Sequence, residues 1–181
     1  MTHNRADFFK PTYRSPHPCS YFNAMYTGLS VVENQKQYWE FECSNTCTVG
    51  VAKRDAFADG YGIKGAFFNG NLMDGSSLLV HEFGVSTGAK DKIGLILDAA
   101  EKELKIYLIQ NGRPLGLAYQ QEAPYAKAIH PVVMFPAPGT VEIKQHPVTG
   151  IENLLTRQDF PNKGEESSWF LRNSPLSENS T

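Results

Sequence analysis

Two alternating apolar runs joined by a short charged link constrain this chain more than any other feature. They lie in residues 91–119, DKIGLILDAAEKELKIYLIQNGRPLGLAY. Ile93, Leu95 and Leu97 form one set, and Leu104, Ile106 and Leu108 another, each spaced two apart. That period places each set on one face of a pleated strand. The link at 99–103 is long enough to turn the chain and little more. Asn111-Gly112 ends the second run with a pair that accepts positive φ and so supports a tight turn. Residues 114–119 add a third extended piece. A helix starting at Asp98, with Glu101 completing a capping box, is the competing reading. It needs apolar residues three and four apart, whereas here they stand two apart among β-branched and aromatic neighbours.

The same alternation recurs on both sides. In YWEFEC, Trp39, Phe41 and Cys43 face inward and Glu40 and Glu42 outward. Burial of Trp39 and Phe41 contributes a few kcal/mol each. Residues 48–52 make the next strand, where Gly50 permits close packing. Further strands are expected at 28–33, 78–83, 132–135 and 140–144. Turn signals separate them at 34–37, 44–46, 53–62, 74–77 and 136–139. In an extended segment Phe67 and Phe68 point opposite ways, one to the core and one partly exposed. Short strands with this punctuation predict an all-β, two-sheet antiparallel sandwich or barrel. The domain is placed at 28–145. Residues 1–27, marked by Pro11, Pro16 and Pro18 and dense in aromatics, form an N-terminal arm that is either loose or laid over a sheet edge. In 146–181, Ile151, Leu154 and Leu155 share one face of a short C-terminal helix. A polar tail follows, broken by Trp169-Phe170-Leu171.

Bulk properties narrow the function. A chain of 181 residues suits one domain with tails and buries a core without metals or disulfides. The net charge of −2, with no basic run, argues against a nucleic-acid-binding face. No stretch approaches the roughly 20 apolar residues of a membrane helix. The first residues lack an apolar signal core, so a cytoplasmic or nuclear location is expected. Of Cys19, Cys43 and Cys47, the last two offer a local disulfide or half a zinc site. With no further ligands to complete four, a free Cys43 in the core and Cys47 near a turn is the preferred reading.

No nucleophile elbow, phosphate loop or zinc-protease motif is present. His81-Glu82 lacks a second ligand at helical spacing. Asp91 and Asp98 bracket a strand about 23 Å long at ~3.3 Å per residue, too far apart for paired-carboxylate chemistry. They are expected to cap turns. No enzyme, cofactor or metal is expected.

The order of motifs resembles the SPRY domain family. The central stretch carries it in Asp91, Ile93, Gly94, Leu97, Asp98, Tyr107, Asn111, Gly112, Gly116, Ala118 and Tyr119. Tyr38-Trp39-Glu40-Phe41-Glu42 and Val49-Gly50-Val51-Ala52 match upstream, and 131–134 and 139–143 downstream. The resemblance implies a SPRY sandwich, a concanavalin-like jelly roll whose end loops hold an extended peptide of a protein partner. It implies an adaptor or complex subunit, with any ubiquitin-ligase machinery supplied in trans. In SOCS-box SPRY proteins the loop after the Gly-Val-Ala strand carries a pocket tyrosine, and Tyr61 lies in the matching loop here. The loop before the closing strand here is Phe135, Pro136, Ala137, Pro138 and Gly139. Gly139 matches, while Pro138 stands where those proteins have a tryptophan, so the same peptide specificity does not carry over. Arg14 corresponds by order only to their arginine. A lectin-like carbohydrate-binding module is the alternative, because lectins share the architecture.

Overall fold

The computed structural model describes residues 12–14, 30–53, 65–74, 77–122, 129–134 and 139–150. Their strands are β1 (Thr12–Arg14), β2 (Gln35–Cys43), β3 (Thr48–Lys53), β4 (Ala66–Phe68), β5 (Leu72–Asp74) and β6 (Ser77–Val80). They continue as β7 (Lys92–Ala99), β8 (Glu103–Gln110), β9 (Arg113–Glu122), β10 (Ile129–Met134) and β11 (Thr140–His146). Two antiparallel sheets result. One runs β1-β11-β2-β7-β8-β9 and the other β10-β3-β4-β5-β6. The central hairpin forms as its pattern requires, with Leu95 opposite Leu108 and Leu97 opposite Ile106.

The sheets pack through the inward sets. Trp39, Phe41, Leu95, Leu97, Leu104, Ile106, Val141 and Ile143 of one meet Val49, Val51, Phe68 and Leu72 of the other. Both outer faces are also partly apolar, which strict alternation does not predict. Ile96 and Ile109 are buried on the outside of the six-stranded sheet, flanked by Tyr38 and Tyr107. Gly94 makes room there, because a Cβ would stand 2.7 Å from the Tyr38 ring. Burial raises both phenols above the ordinary tyrosine range, with the Glu40 charge adding to the effect at Tyr38. On the outside of the five-stranded sheet, Phe67 packs with Ala52, Val132 and Met134. Phe67 and Phe68 are therefore both buried, each against a different layer, where one was expected to be partly exposed.

Three further expectations change. Residues 30–32 are not a strand, and the turn falls at 33–34. Val31 N–H still donates to the Ile129 carbonyl of β10 (3.0 Å), and the Gln37 amide holds its neighbours: Oε1 accepts from Val32 N–H (2.8 Å) and Nε2 donates to the Ser30 carbonyl (2.9 Å). Cys43 and Cys47 are not free thiols but a disulfide. The short link 44–46 reverses the chain and brings both buried side chains to the same spot. The cysteine count thus no longer argues for a reducing compartment. Part of the N-terminal arm is strand β1, which pairs with β11 and covers its edge. The expected helix at 151–155 and the tail lie outside the described residues.

Tyr119 links the sheets at a point of irregular pairing. The β8–β9 register shifts twice, leaving Leu115 and Ala118 as the extra residues of two bulges. The Tyr119 side chain then crosses to the other sheet. Its hydroxyl donates to the Phe67 carbonyl (2.8 Å) and accepts from Met73 N–H (3.1 Å). Burial holds its phenol far above the usual range. Tyr119→Phe strands buried backbone groups on β4 and β5 and should cost about 2–3 kcal/mol. Urea unfolding measures it; a loss below about 0.5 kcal/mol would show that the bonds across the sheets contribute little.

Candidate functional site at the loop end of the sandwich

From β2 onward successive strands run in opposite directions, so their connections alternate between the two ends. The β2–β3, β4–β5, β6–β7, β8–β9 and β10–β11 connections gather at one end, here called the loop end. The β3–β4, β5–β6, β7–β8 and β9–β10 connections belong to the other.

The loop end is braced by its own polar groups. Gln110, at the inward position that ends β8, is buried. Its Oε1 accepts from Val85 N–H (2.9 Å) and its Nε2 donates to the Val85 carbonyl (2.6 Å). One side chain thus holds the 81–91 connection as a strand would. Gly84 permits that approach, since a Cβ would meet the Gln110 Oε1 and the Leu115 side chain at 2.7 Å each. Asn111 takes φ 50°, and its Oδ1 accepts from Lys92 N–H (2.9 Å) while its Nδ2 donates to Asp91 Oδ1 (2.9 Å). Asp91 Oδ2 accepts from Gly88 N–H (2.7 Å), which fixes the turn before β7 as the sequence led one to expect. Backbone bonds from Gly84 N–H to the Gly70 carbonyl (2.8 Å) and from Thr87 N–H to the Asn69 carbonyl (3.2 Å) tie the same connection to the β4–β5 turn.

A cleft of about 660 Å³ opens between these pieces. Phe83 and Leu115 are buried apolar members of its lining, and Val85 is 69% exposed at its rim. Asp91, Gln110 and Asn111 line it but already bond to their neighbours. Arg113 also lines it, is exposed, and makes no ion pair among the described residues. Among the described residues, three of the four non-glycine residues at positive φ, Glu82, Lys90 and Asn111, belong to the segments around this cleft. Such conformations cost on the order of 1 kcal/mol each and persist where surrounding structure imposes them. Among the described residues no group of His, Cys, Asp and Glu could hold a metal ion.

The segments that carry the predicted site residues are rooted at both ends of the sandwich. Arg14 stands opposite Thr140 in the β1–β11 pair, next to Gly139, so both belong to the loop end. Phe135, Pro136, Ala137 and Pro138 lie outside the described residues, but their segment leaves β10 at the same end. Tyr61 also lies outside them, and its segment leaves β3 at Lys53 and returns by Gly65, at the opposite end. The β3–β10 pair separates these two roots by about 17 Å at ~3.3 Å per residue. The cleft residues Val85, Gln110 and Arg113 were missed. Their one signal was Gln110, a polar residue in register with the inward set Leu104, Ile106 and Leu108.

Neither a family model nor a curated protein matches this sequence. Among solved structures the chain is similar to the SPRY domain of human HERC1. The identity is 22% and the TM-score 0.49, over 65% of this chain and 78% of that one. It is also similar to stonustoxin, at 15% identity and a TM-score of 0.36, over 66% of this chain and 21% of that one. The residues that carry the resemblance noted in the sequence lie in order along β2, β3, β7, β8, β9, β10 and β11 of a two-sheet antiparallel β-sandwich.

Proposed function

We propose that this chain is a non-enzymatic protein-interaction module that binds an extended peptide of a partner across the loop end, as an adaptor or complex subunit. The observation that carries this reading is the cleft between connections already held in place by side-chain bonds. Loops ordered in advance lose little entropy on binding. A rigid sandwich carrying such loops is a usual platform for recognition. From Gly139 to Arg113 the path crosses β11, β2, β7, β8 and β9. Four inter-strand steps of ~4.8 Å make roughly 19 Å, the span of about six extended residues. Arg14 and residues 135–139 would contact one end of such a peptide, and Val85 and Arg113 the other. Tyr61 would contribute only if its segment reached around from the far end. The net charge of −2 favours a protein partner over nucleic acid.

A display library of random eight-residue peptides, selected on the full chain, tests this. Enrichment of a consensus is expected, and the winning peptide should shift the backbone amides of Asn45, Val85, Asn111 and Gly139. Shifts confined to Gly65 and Ala100 would move the site to the end that Tyr61 belongs to. Failure to enrich any peptide above an unrelated β-sandwich would end the interaction reading.

A further inference from the structure

The Cys43–Cys47 bridge occupies the junction of three connections at the loop end. The Cys43 carbonyl accepts from Lys90 N–H (2.7 Å), and the Cys47 carbonyl accepts from the buried Thr87 hydroxyl (2.6 Å). Both bonds tether the β6–β7 connection, which forms the cleft wall. Between the two half-cystines, Ser44 N–H donates to the Thr140 carbonyl (2.8 Å), and Thr140 N–H donates to Ser44 Oγ (2.7 Å). Those bonds tether the start of β11, beside Gly139 and opposite Arg14. The link 44–46 is exposed, and beyond the Ser44–Thr140 bonds the described residues hold it only locally, Asn45 Oδ1 accepting from its neighbour Thr46 N–H (2.8 Å). The covalent bond therefore sets the conformation of the segment to which the β6–β7 connection and the start of β11 are tied.

We infer that the Cys43–Cys47 disulfide is a redox-sensitive latch on the loop end, ordering the β6–β7 connection and the start of β11 when closed and releasing them when reduced. The regulatory step rests on the peptide-binding reading above; the structural step does not. A dithiol reductant opens the latch. One of its thiolates attacks a bridge sulfur, breaks the S–S bond and forms a mixed disulfide. Its second thiolate then closes the reductant's own disulfide. Two electrons and two protons pass to Cys43 and Cys47, which end as thiols. Both half-cystines are buried, at 2% and 1% exposure, so attack requires the link to open first. A bridge closing a loop of about five residues restricts the opened ensemble by the equivalent of about thirtyfold in equilibrium.

Thiol counting and amide exchange on the full chain, with dithiothreitol as reductant, test the latch. The air-equilibrated chain, denatured without reductant, should show one alkylated cysteine, Cys19, and three after reduction. Native-state exchange at Ser44, Lys90 and Thr140 should quicken about thirtyfold on reduction, while Ala100, bonded to the Glu103 carbonyl at the far end, stays unchanged. A Cys43→Ser, Cys47→Ser double variant should exchange like the reduced chain in either condition. Three alkylated cysteines before reduction, or a verified bridge whose reduction leaves those amides unchanged, would overturn the inference. A peptide selected on the oxidised chain should bind the reduced chain at least tenfold more weakly. Equal binding despite faster exchange removes the regulatory role alone, and absence of any selected peptide removes the interaction reading while the exchange result stands.

Discussion

Gly50→Ala should prevent stable folding. Gly50 sits in the middle of β3, opposite Phe67 of β4 and Val132 of β10. A Cβ there would lie 2.0 Å from the Ala66 carbonyl oxygen, 2.8 Å from the Phe67 Cα and 2.8 Å from its ring. Two of these three are backbone atoms, so no rotamer change relieves the overlap. The β4 strand would have to move away from β3 and break the pairs Val49–Phe68 and Val51–Ala66. Phe68 and Ala66 would leave the core with it, and Phe67 would carry away the carbonyl that Tyr119 bonds. Overpacking a core ordinarily costs about 1–3 kcal/mol. Losing strand pairing as well should raise this beyond about 4 kcal/mol, a large share of a typical domain's stability. Circular dichroism and urea unfolding of the purified variant decide it. A variant within about 1 kcal/mol of wild type would mean that β4 yields easily and that the close approach is not required.

Gly50 was legible in the sequence because a glycine inside an alternating apolar strand has few explanations other than close approach. The central hairpin was legible for a similar reason: Leu95, Leu97, Ile106 and Leu108 repeat with one period long enough to exclude a helix. The outer faces were harder. Ile96 and Ile109 occupy outward positions, and only the pairing of β2 with β7 shows that Tyr38 lies against them across Gly94. The bulges of β9 were invisible, since Leu115 and Ala118 look like ordinary members of an extended run. The bridge was not legible, because the spacing of Cys43 and Cys47 alone does not show whether the chain between them turns. The decisive fact is that 44–46 is a reversal, which places both cysteines together.

The segments that carry the predicted site residues are rooted at two ends for a topological reason. Each strand reverses the chain, so which end a connection occupies depends on the number of strands counted before it. Seven strands, β4 to β10, separate the Tyr61 segment from 135–139. An odd number puts the two connections at opposite ends. The strands expected between the two segments, at 78–83, 93–97, 104–108, 114–119 and 132–135, are also odd in number, and the unexpected β4 and β5 add two, so this parity is legible in the sequence. Two inward glutamines, Gln37 and Gln110, were the other overlooked signal. Each stands where the alternation calls for an apolar residue, and each bonds the backbone of a segment that lies outside the strands.

That role makes Gln110→Glu the sharpest test of the loop end. The substitution keeps size and shape. One carboxylate oxygen can still accept from Val85 N–H, but the other replaces the donating amide and faces the Val85 carbonyl, now 2.6 Å from Nε2. The site is 6% exposed, so water cannot screen the contact. Burial and the facing carbonyl should raise the new carboxyl by roughly 2–3 pKa units, at about 1.4 kcal/mol per unit. A folded pKa above the unfolded one means that the unfolded chain releases this proton first. The penalty is therefore absent below the unfolded value near ~4.3, grows as pH rises, and levels off above the folded value. Relative to wild type, the variant should lose about 3–4 kcal/mol at pH 7 and little at pH 4, where the protonated acid again donates to Val85. Urea unfolding of both chains at both pH values gives the difference directly. Binding of a loop-end peptide should follow the same curve, because Val85 is on the cleft rim and leaves its place when the bond fails. A penalty equal at pH 4 and pH 7 would show that Gln110 fills space without holding the 81–91 connection, and the cleft would then need another support.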